Sequence, residues 1–71
     1  MMSKAITFAS RLKEARAAAG LSRKELAAKA GLSWQAVRAW EQGAREPGLS
    51  SLRALAAALD ADPAKLIGYS R

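Results

Sequence analysis

Two serines, Ser22 and Ser33, each open a helix, and Gly31 between them closes the first one. No other stretch restricts the fold of this chain as tightly. Ser22-Arg23-Lys24-Glu25 fits the capping box, in which a serine hydroxyl and a glutamate carboxylate reciprocally satisfy two amides left without partners in a first helical turn. Leu21 and Leu26 flank that cap at the spacing of a hydrophobic staple, and Leu32 and Val37 repeat the arrangement around Ser33. Gly31 supplies the backbone freedom needed to leave a helix. The pattern predicts two short helices joined by the three residues Gly31-Leu32-Ser33, the second running from Trp34 to Gln42 and stopping at Gly43. A helix this short does not persist alone in water, so packing must hold it.

The rest of the chain is punctuated in the same way. Thr7 is the predicted cap of a first helix to Ala19, with Phe8, Leu12, Ala15 and Ala19 on one face and Gly20 at its end. Ala44 to Gly48 reads as a loop. A fourth helix is expected from Leu49 to Leu59, with Leu52, Leu55, Ala56 and Leu59 as its apolar stripe and Gly48 as a weak cap. Asp62-Pro63 places a capping residue before a proline at the first helical position, which predicts a short fifth helix through Ile67. No alternating Val, Ile or Thr run suggests a strand. The expectation is an all-α bundle of five helices in a single domain spanning residues 1–71, with a core over 7–68 and residues 1–6 as an arm.

Alanine accounts for 18 of the 71 residues, so large apolar groups are scarce and must be well placed. The expected core is Leu12, Leu26, Val37, Trp40, Leu52, Leu55 and Leu59. Charge says more about partners. Twelve Lys and Arg against six Asp and Glu leave a net +6 and a pI near 10.6, which suits nucleic acid, an anionic membrane surface or an acidic protein. Cysteine and histidine are both absent, which removes disulfides, Cys or His metal sites and every nucleophile or triad built on them. No catalytic constellation is visible, and neither a metal nor a cofactor is expected. With no apolar run of membrane-spanning length and no signal-peptide pattern, a cytoplasmic protein is the expectation.

Two capped helices across a tight glycine-containing turn, in a basic all-α chain, form a helix-turn-helix signature. The run Arg11-Leu12-Lys13-Glu14-Ala15-Arg16, then Gly20-Leu21-Ser22, Glu25-Leu26-Ala27, Ala30-Gly31-Leu32-Ser33, Val37, Trp40-Glu41, Gly43 and Pro47, resembles the phage repressor and Cro type of helix-turn-helix DNA-binding domain. The similarity covers about residues 8–68. It implies a five-helix domain whose second helix crosses the backbone of double-stranded DNA while the third lies in the major groove. That groove, about 12 Å wide, admits one α-helix whose N-terminal side chains reach base edges.

On this reading the base-facing residues are Trp34, Gln35, Arg38 and Ala39. Gln35 can bridge adenine N6 and N7, and Arg38 can read guanine or neutralise a phosphate. Ala39 offers only a methyl at a position the family uses for readout. Trp34 either packs on the DNA or folds back over the turn. Ser22, Arg23, Gln42 and Arg45 are the candidate phosphate contacts; Arg23 stands where the family often has glutamine. An acid on a DNA-reading helix would repel phosphate, and the resemblance assigns Glu41 to a partly buried ion pair with Arg16 of the first helix. A single reading helix covers few base pairs, so a homodimer on a pseudo-palindromic operator is expected, completed on DNA if weak in solution. Leu66, Ile67 and Tyr69 either contribute to that interface or close the monomer core. The function expected is that of a small transcriptional repressor; the alternative is a protein-interaction module, such as the antitoxin of a toxin–antitoxin pair.

Overall fold

Polar side chains start four of the five helices. In the computed structural model, which describes residues 7–67, these are α1 (Phe8–Ala18), α2 (Arg23–Ala30), α3 (Trp34–Glu41), α4 (Leu49–Leu59) and α5 (Pro63–Leu66), with no strand among the described residues. At α2 both halves of the capping box form: the Glu25 amide donates to Ser22 Oγ at 3.0 Å and the Ser22 amide to Glu25 Oε1 at 2.8 Å. Ser33 Oγ accepts from the Ala36 amide, and Asp62 Oδ1 from the Ala64 amide ahead of which Pro63 opens α5. Thr7 caps α1 through a second reciprocal box in which Ser10 takes the place of glutamate. Gly48 opens α4 with no side-chain bond.

Helix ends are closed by one recurrent device. Gly31 adopts φ 73°, ψ 30°, and the amides of Leu32 and Gly31 reach back to the carbonyls of Ala27 and Ala28 at 2.8 and 3.3 Å. This is the Schellman pattern, and it turns the chain into α3 within three residues. The same pair of bonds closes α4, where the left-handed residue is Asp60, at φ 55°, rather than a glycine. α1 ends at Ala18, so Ala19 is an exposed cap and does not extend the buried stripe.

Leu12, Leu26, Val37 and Leu55 are fully buried and meet at the centre with Trp40, Leu66, Ala27, Ala56 and Ala58. α2 packs on α3 and α4, α1 on α3 and α5, and α4 on α5. Alanine faces let these short helices approach closely. Leu52 and Leu59, expected at the centre, are half-buried and lean on it from the margin. Of the two readings left open for Leu66, its burial fits closure of the monomer core: it is 3% exposed, because the Asp62-Pro63 turn folds α5 back onto α1 and α4 and inserts this side chain among the core residues. Ile67 is half-exposed. Tyr69 and residues 1–6 lie outside the described residues.

Candidate nucleic-acid interface

α3 divides cleanly by face. Val37, Trp40 and Glu41, at i, i+3 and i+4, point into the bundle and are buried. Gln35, Arg38 and Gln42, at i, i+3 and i+7, lie exposed on the opposite side, and Ala39 beside them is half-buried. Trp34 sits at the margin, 36% exposed, with the Lys24 ammonium of α2 over its ring at 5.4 Å from the centroid. That contact brings the start of α2 and the outer face of α3 onto one continuous surface. Arg45, exposed in the loop after α3, adds a further cation. The ring of Trp34 is thus neither free nor folded into the core; lysine covers one side of it.

Behind this surface, Glu41 is the one buried charged residue among those described, its side chain wholly inaccessible. Arg16 grips it at two points, Nε to Oε2 at 2.6 Å and Nη2 to Oε1 at 3.1 Å, and donates Nη1 to the Leu21 carbonyl at 2.8 Å. Arg23 donates Nε to Glu41 Oε1 at 3.0 Å. Burial pushes the Glu41 carboxyl up, but hydrogen bonds and charge from Arg16 and then Arg23 outweigh it and hold the group below its ordinary value. The same hydrogen bond, against the opposing pull of burial, raises Arg16. Three helices therefore meet at one carboxylate.

Two of the expected phosphate contacts look different in place. Ser22 already accepts from the Glu25 amide and donates its own amide to the Glu25 carboxylate. The start of α2 carries an internal anion, so it is a poorer anion site than a bare helix end. Arg23 is not a free surface cation, since its Nε is committed to Glu41. Sequence reasoning missed that second pairing and missed Lys24 altogether. A signal existed: replacing the family's usual glutamine with arginine adds a charge one residue after the α2 cap, within reach of the acid already assigned to the interior. Among the described residues no group of His, Cys, Asp or Glu is placed to hold a metal ion, and no helix is long and apolar enough to cross a membrane.

Residues 12–66 match the helix-turn-helix family. The chain belongs to that family. Among solved structures, this helix-turn-helix domain is similar to the restriction-modification controller protein C.AhdI from Aeromonas hydrophila, with 42% identity, a TM-score of 0.82, and coverage of 84% of this chain and 91% of that one. It also resembles the P22 c2 repressor in complex with synthetic operator 9T, at 26% identity and a TM-score of 0.86 over 93% of this chain and all of that one (100%). A hypothetical transcription factor, NHTF, from Neisseria aligns at 32% identity and a TM-score of 0.80, over 84% of this chain and 69% of that one. Curated protein sequences gave no match. The fold is that of the repressor-type helix-turn-helix domain, and the chain is a DNA-binding transcriptional regulator.

Proposed function

We propose that this helix-turn-helix domain acts as a homodimeric repressor, each copy laying α3 into the major groove over one half of a pseudo-palindromic operator. The observation that carries the reading is the split of α3: its inner face is anchored through Glu41, while Gln35, Arg38 and Gln42 stand together on the outer one. Gln35 reads adenine through a bidentate amide contact, discriminating by about 1–3 kcal/mol. Arg38 serves guanine or a phosphate beside it, and the Ala39 methyl and Trp34 ring supply apolar contact to thymine methyls and sugars. Gln42, Arg45, Arg23 and Ser22 hold the backbone. The P22 c2 repressor, bound to its synthetic operator, lends support.

Two-fold symmetry follows from the reach of one helix, with half-sites about 34 Å apart. Leu49 and Ile67, 64% and 50% exposed, are the large apolar side chains left open among the described residues besides Trp34. Ile67 borders a groove of about 430 Å³ lined also by Phe8, Pro47 and Leu52, and a second copy is the occupant that the symmetry of an operator calls for. Selection of bound duplexes from a random pool, followed by sedimentation with and without the selected site, tests both parts. A recovered inverted repeat bound by two copies is the expected result; absence of any salt-dependent duplex binding overturns it.

A further inference from the structure

We infer that Glu41, besides tying α3 to α1, positions Arg23 as a preset phosphate clamp at the start of α2. This rests on the DNA-binding reading above and adds to it a role for a residue that never touches DNA.

The two arginines on Glu41 are not equivalent. Arg16 has all three nitrogens engaged, two on the carboxylate and one on the Leu21 carbonyl, and its side chain is 18% exposed. It is used up inside the bundle. Arg23 commits only Nε; its two η nitrogens make no hydrogen bond among the described residues, and its side chain is 31% exposed. One carboxylate needs one cation for neutrality, and Arg16 provides it. The second arginine leaves a net charge of +1 around the buried acid, with both η nitrogens uncommitted on a partly exposed side chain at the first residue of α2, next to Lys24.

A guanidinium suits this double duty because it is flat and carries five donors. It can give Nε–H to a fixed carboxylate and still present its η edge to a second anion. A lysine ammonium has three donors but, as a compact point charge, lacks the separate edges that let one flat group face two anions at fixed positions. Holding the arginine before DNA arrives also reduces the side-chain freedom lost on binding. Arg38 and Arg45, by contrast, make no side-chain hydrogen bond among the described residues, so they must be ordered by the DNA itself.

Salt titrations of the full chain on a labelled operator and a random duplex test this with Arg23→Ala and Arg23→Lys beside the wild type. The wild type must bind with a steep salt slope; if it does not, the DNA-binding reading itself fails. Given binding, Arg23→Ala should flatten the log–log slope by about 0.9 on both duplexes. Arg23→Lys should keep the slope and lose about tenfold in affinity, as expected for one charge-assisted hydrogen bond. A lysine variant as tight as the wild type, or an alanine variant with an unchanged slope, overturns the inference. The role of Glu41 is read by NMR on the unmutated protein: the Arg23 Nε–H and the Arg16 Nε–H should both exchange slowly, free and on duplex. An Arg23 Nε–H exchanging as fast as that of Arg45 overturns it without any variant needing to fold.

Discussion

Arg16 and Glu41, separated by 25 residues, meet in a two-point ion pair whose shorter bond measures 2.6 Å. Because the carboxylate is wholly buried, the pair matters more when broken than when formed. Arg16→Met should destabilise the fold by about 1–3 kcal/mol, since it removes two of the three charge-assisted hydrogen bonds on the buried carboxylate while Arg23 still neutralises it. Arg23→Met should have a much smaller effect, because Arg16 stays in place. The double variant Arg16→Met/Glu41→Leu should recover much of the loss, as apolar replacements of buried pairs often do. Urea unfolding of the wild type, these three variants and the single variant Glu41→Leu checks this; additive effects of Arg16 and Glu41 would show that the two are uncoupled.

Acid sensitivity follows from the same carboxylate. Glu41 is held below its ordinary value of 4.5 in the folded state, so folding favours its ionised form. The stability that this contributes is fully present above the unfolded-state value and is lost as pH falls through the folded one. Unfolding free energy should therefore decline below about pH 4.5, and the decline should be shallower in Arg16→Met/Glu41→Leu. Denaturant melts between neutral pH and pH 3 make the comparison; identical pH profiles would remove Glu41 as the source.

Much of this was legible from the chain itself. Caps act through contacts two or three residues away, so Ser22, Ser33 and Asp62 announced their helices without reference to the rest of the fold. Leu66 was only half legible, left between interface and core, because its burial depends on how α5 folds back rather than on its own neighbours in sequence. Arg23 was half legible: its charge suggested phosphate, but only the packing of α2 on α3 brings its Nε to Glu41. The outer face of α3 could be read from spacing alone, whereas the cover that Lys24 gives Trp34 crosses between two helices.

The two tryptophans provide an optical test of which surface meets DNA. Trp40 is 7% exposed in the core, and Trp34 is 36% exposed at the reading edge. Acrylamide should quench mainly Trp34, and an operator duplex should protect it. In Trp34→Phe, the remaining emission should be blue-shifted and indifferent to duplex. Lys24→Met should cost under about 1 kcal/mol in stability, the scale of an exposed cation–π contact, while raising acrylamide access to Trp34. Unchanged quenching of the wild type on saturating operator would place Trp34 outside the interface.

Asp60, the left-handed cap of α4, offers a gain in stability. It holds φ 55° at the end of α4, a left-handed conformation that asparagine and glycine tolerate better than most residues. Its negative charge also sits at the negative end of the helix dipole, with no basic residue in the last turn of α4 to offset it. Asp60→Asn removes the charge and keeps the side-chain volume, so it should stabilise the domain by about 0.3–1 kcal/mol. For a domain this small, each kcal/mol corresponds to roughly 4–8 °C in Tm. Asp60→Gly should gain less than asparagine, because glycine also frees the unfolded chain. Thermal melts at low and high salt separate the two contributions: the charge part of the asparagine gain should shrink as salt screens it, and a gain equal at both salts would assign the effect to backbone conformation alone.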